Sequence, residues 1–182
     1  MKGWLEIEVV DESTGARTER VWSNIVTLAG VEYYTARMAD TTPTQFVDGG
    51  GAFDGILELG TAGTTPTTSS TRASITALVA DSQRACDGSY PTTDDSDPLN
   101  PLTGLFMSDG ASSVMLEQTV TYKFSYPAGT FTGINIDRAI ITNPSPGASE
   151  PVLAYTVGTP FTVNATSAVI VRWNHRMQAV TT

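Results

Sequence analysis

The sequence is poor in the residues on which most site chemistry depends. Of 182 residues one is cysteine, Cys86, and one is histidine, His175. A single cysteine closes no intrachain disulfide and excludes the zinc patterns built on two to four cysteines. No G-x-S-x-G surrounds any serine, so a Ser-His-Asp site has no nucleophile elbow to use. Lysine occurs only as Lys2 and Lys123, and ten basic residues face 19 acidic ones, for a net charge of -9. Nucleic-acid affinity rests largely on cations that neutralise phosphates. A chain this acidic is therefore expected to bind neither nucleic acid nor an anionic membrane surface, and to be steered toward a basic patch on a partner. No apolar run approaches the roughly 18 residues of a membrane span. Glu6 and Glu8 interrupt MKGWLEIEVVDE, which does not read as a signal-peptide core. A soluble chain made in the cytoplasm is the expectation, and Asn164-Ala165-Thr166 then matches a glycosylation acceptor by coincidence.

What is present favours strands. Hydrophobic residues make up 40% of the chain and charged ones only 16%. Threonine fills much of the difference, at roughly one residue in seven, and β-branched side chains suit pleated, half-buried surfaces. A chain of this length buries roughly 70% of the surface its unfolded form exposes, enough for one core. WLEIEVV, 4–10, alternates apolar and acidic residues, DESTG is a polar turn, and RTERVW, 17–22, alternates again. This period of two predicts an N-terminal β-hairpin, read as an arm over residues 1–22, before a body over 23–182. The rhythm breaks at 23–40, where Val31, Tyr34 and Met38 recur at helical spacing with Thr35 on the same face, predicting one short helix.

ILELGTAGTTPTTSS, 56–70, opens like a buried strand and ends as an uncharged Gly/Thr/Pro/Ser tract. A phosphate loop needs a Lys after its second glycine. Here Gly63 precedes Thr64, Thr65 and Pro66, and the nearest base is Arg72, so the stretch predicts a structural loop leaving a strand. Residues 73–80 fit a strand or a short helix, and the polar, Pro- and Asp-rich 81–112 predicts a long loop. Strands follow at 113–126 and 131–143. VLAYTV is a further strand, GTP a turn, FTVNAT a strand edge and SAVIVRWNHRMQAV a closing strand. Short strands at roughly 8- to 12-residue spacing predict a mainly β fold, an antiparallel β-sandwich or jelly roll, with one short helix.

No catalytic residue, cofactor or metal site is expected. His175 reads as a surface histidine near the end of the last strand, and Cys86 as a partly buried small hydrophobe. Asp94, Asp95 and Asp97 resemble half of a calcium loop, but Leu99 and Leu105 stand where the loop's Gly and Glu belong, which leaves a solvated turn. Nothing singles out a pair of carboxylates. Tyr122, Phe124 and Tyr126 have only Lys123 as a basic neighbour and read as a core face with a partly exposed edge rather than a base-stacking platform.

The order of three groups of segments resembles β-rich structural proteins of tailed bacteriophage particles, among them capsid decoration (cement) and tail-associated subunits. Asn24-Ile25-Val26-Thr27-Leu28-Ala29-Gly30 resembles their entry into a short helix, and Leu59-Gly60-Thr61-Ala62-Gly63-Thr64-Thr65-Pro66 their strand exit. Ile134-Asn135-Ile136-Asp137, Leu153-Ala154-Tyr155 and Val169-Ile170-Val171-Arg172-Trp173 complete the likeness. The chain departs from the group at Asp137-Arg138-Ala139-Ile140, where Glu-Ala-Gly-Leu is common, and in its longer 81–112 loop.

The resemblance implies a non-enzymatic virion structural protein, made in the host cytoplasm. Capsid decoration is the leading role, with the major capsid protein and copies of the chain itself, as a homotrimer, for partners. A tail, baseplate or fibre-attachment subunit is the alternative. Assembly contacts are expected on the N-terminal hairpin and the long loop, through Trp4, Trp22, Leu105 and Phe106. A carbohydrate-binding sandwich, stacking sugars on Trp4 or Trp173, is the reading from another class.

Overall fold

The computed structural model describes residues 2–39, 41–49, 52–94, 115–144, 146–147 and 149–180. Its strands are β1 (Lys2–Asp11), β2 (Arg17–Val26), β3 (Ile56–Gly63), β4 (Ile75–Leu78), β5 (Arg84–Ala85), β6 (Thr92–Asp94), β7 (Met115–Tyr126), β8 (Ile134–Thr142), β9 (Val152–Val163) and β10 (Ser167–Val180). One helix, α1 (Leu28–Met38), follows β2. All strands join one sheet in the order β4-β3-β8-β9-β2-β1-β10-β7-β6, with β5 also on β3, and every pairing is antiparallel. The fold is thus mainly β, antiparallel and sandwich-like, with one short helix and an N-terminal β-hairpin. Its facing layers are opposite walls of a single sheet curled into a half-barrel.

The alternation read from the sequence decides which residues fill the curl. Leu5 and Ile7 of β1, Tyr122, Phe124 and Tyr126 of β7, and Val169, Val171 and Trp173 of β10 are buried in one core. They meet Leu57 and Leu59 of β3, Ile136 of β8 and Phe161 of β9 there. The aromatic row on β7 is a core face with no exposed edge. A smaller cluster, Ile75, Ile140, Val152 and Tyr155, packs separately. β8 therefore buries consecutive residues, Ala139 to Thr142, and shows no alternation there.

A strap ties strands from the two ends of the sheet. The Val79 N–H donates to the Leu59 carbonyl (2.9 Å), and the Leu59 N–H to Ser82 Oγ (3.1 Å). On the β7 side the Tyr126 hydroxyl donates to the Ser82 carbonyl (2.7 Å), and the Asp87 N–H to the Lys123 carbonyl (2.8 Å). The tract after β3 is a structural loop, held to the sheet by two anchors. Arg72 grips the buried Glu58 through two hydrogen bonds of 2.7 and 2.9 Å, and the Tyr155 hydroxyl donates to the Thr64 carbonyl (2.9 Å).

Four expectations need correction. The hairpin is no arm beside a separate body: β1 lies between β2 and β10 and pairs with β10 over ten residues, Lys2↔Arg176 to Asp11↔Ser167. Gly158-Thr159-Pro160 is no turn, because β9 runs through it, and the register with β8 jumps there from Arg138↔Val157 to Ile136↔Phe161. A bulge accommodates a proline that a regular ladder would not. Helix α1 buries Gly30, Tyr33 and Tyr34 and exposes Val31 and Thr35, so of the predicted face Tyr34 points inward while Val31 and Thr35 do not. Finally, the 81–112 segment is not loop throughout, since β5 and β6 lie within it; of the two readings open for 73–80, the strand is present as β4, entered through a 3₁₀ turn at Arg72–Ser74.

Candidate functional site

The chain's one histidine is fully buried, not on the surface, at the meeting of four elements. His175 of β10 is 0% exposed, beside Tyr34 of α1, Tyr122 of β7 and Asn24 of β2. The helix reaches it because its first turn is clamped to β9. Thr27 caps α1, its hydroxyl accepting from the Gly30 N–H (3.2 Å) and donating to the Val152 carbonyl. At Gly30 a Cβ would lie 2.1 Å from the Leu153 carbonyl oxygen, so only glycine permits this approach.

The polar atoms of the cluster admit one consistent proton arrangement. An indole N–H only donates, so Asn24 turns its amide oxygen to Trp173 Nε1. That oxygen also accepts from His175 Nε2 at 3.0 Å, while the amide nitrogen donates to the Gly3 carbonyl at 3.0 Å. His175 thus carries its proton on Nε2, and Nδ1 is left to accept from the Tyr34 hydroxyl. Tyr34 oxygen then accepts from the Tyr122 hydroxyl at 2.9 Å. Burial pushes the His175 pKa down to about 3 and both tyrosine pKa values well above their ordinary range. The cluster is neutral near pH 7, with both ring nitrogens engaged. What it can do chemically is join α1 to the strands through directional bonds in an apolar surround.

Sequence reasoning missed Tyr34, Asn24 and Trp173 as partners of His175. The signal was parity: Trp173 and His175 are two apart on one strand and share a face with Val169 and Val171, which marks an inward histidine.

The predicted contact residues are not brought together. Trp22 is 5% exposed, ringed by Phe161 (centroids 5.8 Å) and Gly158, so it is core rather than exposed apolar surface. Trp4 is half-buried, donates to Glu6 (2.7 Å) and lies 5.3 Å from the Arg176 guanidinium carbon. Leu105 and Phe106 lie outside the described residues. Trp173, the other candidate sugar-stacking face, is fully buried.

Cys86 is half-buried, and burial raises its thiol to about 11, which keeps it protonated near neutral pH. Asp94 ends β6, while Asp95 and Asp97 lie outside the described residues. Among the described residues no three His, Cys, Asp or Glu side chains converge as metal ligands, and no helix is long and apolar enough to cross a membrane. An open groove of about 220 Å³ runs between α1 and the 42–45 segment, past Glu32, Tyr33 and Pro43. Compared with family models, curated proteins and solved structures, the chain matches none.

Proposed function

We propose that the chain is a non-enzymatic structural protein of a tailed-bacteriophage particle, with capsid decoration its foremost role. The observation that carries this reading is where the phage-like segments fall. Asn24 orients the His175 to which Tyr34 of α1 bonds, Gly30 lets α1 close on β9, Leu59 to Pro66 leaves β3 under the Arg72 and Tyr155 anchors, and the remaining segments lie on β8, β9 and β10. The residues behind the resemblance thus serve the packing of a curled sheet. A resemblance carried by packing residues speaks to fold and role in assembly rather than to chemistry.

The burial of Trp173 and Trp22 removes the broad aromatic face that the carbohydrate-binding reading requires, leaving only a half-covered Trp4. The partners proposed are the major capsid protein and further copies of the chain, and the location the virion surface. Quantifying this protein against the major capsid protein in purified particles tests the proposal. Comparable stoichiometry is expected. A few copies per particle moves the role to the tail or baseplate, and absence from particles overturns the virion reading.

A further inference from the structure

β2 is fully paired on one side only. Arg17 to Asn24 face β1 residue by residue, whereas the register with β9 covers only Asn24, Ile25 and Val26. Among the described residues β9 continues past that point paired with β8 alone. The two strands diverge after a last contact, the Thr156 hydroxyl donating to the Ser23 carbonyl (2.6 Å). Side chains span the wedge where the backbones do not. The Trp22 indole lies where a Cβ at Gly158 would sit, and the Arg20 guanidinium carbon is 5.3 Å from the Phe161 ring centre.

The direction of the backbone groups follows from the register. The Thr27 N–H donates to the Leu153 carbonyl (3.1 Å), which points that residue's N–H at β9. Peptide groups alternate sides along a strand, so the N–H and C=O of Glu19, Val21 and Ser23 are directed at the wedge. On the far lip the Val163 carbonyl accepts from the Gly133 N–H (2.9 Å), on the β8 side. Counting back, Thr162 and Pro160 face the wedge, and proline has no N–H to offer. The β9 lip is thereby blunted and the β2 lip is open.

Two further features mark the open lip. Val21 is 68% exposed, and Arg20 Nε is buried with no hydrogen-bond partner among the described residues. We propose that the Arg17–Ser23 edge of β2 accepts one extended segment of a partner polypeptide. The segment adds antiparallel to β2, bonds to the peptide groups of Glu19 and Val21, sets an apolar side chain beside Val21 and a carboxylate against Arg20. β9 on the far side leaves the edge within reach of a single segment and not of the body of a second copy. Main-chain bonds supply the affinity in such strand addition and the side-chain contacts the selectivity. This site does not depend on the virion assignment.

Amide hydrogen exchange of the full chain, followed by NMR, tests it with the synthetic peptide acetyl-Thr-Val-Glu-Val-Thr-Val-Thr-amide as probe. In the free protein the Glu19 and Val21 amides are expected to exchange at least about tenfold faster than those of Arg20 and Trp22, which face β1. The peptide is expected to slow Glu19 and Val21 selectively, and its counterpart with proline at the central position to leave them unchanged. Arg20→Gln weakens the peptide relative to the same peptide carrying Gln for Glu, while Val21→Pro removes the donor and abolishes protection. Should Val21→Pro not fold, the exchange comparison on the natural chain still decides. Glu19 and Val21 amides already protected in dilute protein, protection that grows with protein concentration alone, or no response at millimolar peptide would each overturn the proposal.

Discussion

The indole N–H of Trp173 determines which ring nitrogen of His175 carries the proton, although the hydrogen-bonded link between the two side chains runs through Asn24. A donor that cannot accept fixes the amide, and the amide fixes the imidazole. Tyr34 can donate to Nδ1 only because of that choice. Asn24 therefore satisfies three buried groups at once: an indole N–H, an imidazole N–H and the Gly3 carbonyl.

Asn24→Ala strands all three. Each unpaired buried group costs about 1–3 kcal/mol, so a loss well above that of an ordinary surface change is expected in urea unfolding. Tyr34→Phe removes one donor and should cost about 1–3 kcal/mol. If Asn24→Ala is no more costly than Tyr34→Phe, the amide is not the hub of the cluster.

The same cluster makes stability depend on pH. His175 titrates near 3 when folded and at its ordinary 6.5 when unfolded, because burial disfavours the charged ring. Between these values the unfolded chain binds the extra proton. The stabilisation is complete above 6.5 and is lost as pH falls toward 3, at up to about 1.4 kcal/mol per pH unit. Urea midpoints from pH 7 to pH 4 should fall accordingly, and His175→Phe should flatten the profile. An imidazole C–H resonance of the native protein that titrates near 6.5 would contradict the burial directly.

Strand positions were legible and their partners were not. Period-two alternation marked β1, β2 and β7 because each buries one face, and Pro/Gly turns bounded β8. β9 was split in two because Gly158-Thr159-Pro160 has turn chemistry. Nothing local says that Trp22 packs against that glycine or that β8 absorbs the bulge. The helix and the inward place of Tyr34 were legible, but Val31 and Thr35 fit the helical spacing beside Tyr34 as well as Gly30 and Tyr33 do, and only tertiary packing chooses between the two faces. The hairpin's central place depends on pairing Lys2 with Arg176, a contact at nearly the full length of the chain, which no window of sequence encodes. His175's partners Tyr34, Asn24 and Tyr122 come from three other elements, α1, β2 and β7, and were hidden for the same reason.

The Glu58–Arg72 pair anchors the loop after β3 and leaves little of the carboxylate exposed, with Gln83 Nε2 donating to it as well at 2.9 Å. The carboxylate also holds the Arg72 guanidinium charged, raising its pKa. Arg72→Ala leaves a buried charge with one neutral partner, and breaking a buried pair this way costs about 3–5 kcal/mol. Arg72→Met combined with Glu58→Leu should recover much of that loss, because no charge is then left to desolvate. A double variant as unstable as Arg72→Ala would mean that the loop needs the ion pair itself and not merely a filled site.

Deleting residues 1–22 discriminates between an arm and a core element. The deletion removes β1, which pairs with both β2 and β10, and it removes Leu5, Ile7 and Trp22 from the main core. Burying a large aliphatic or aromatic side chain contributes about 1.5–3 kcal/mol, so these three alone approach the 5–15 kcal/mol by which a domain is stable. The loss of two full strand ladders comes on top. The truncated chain is expected to lack dispersed amide resonances and a cooperative thermal transition. The single change Trp22→Ala should lower stability by about 3–5 kcal/mol through the cavity it leaves. A truncated chain that stays folded would mean that the rest of the sheet closes without β1 and the Arg17–Trp22 part of β2, and the hairpin would again be an arm.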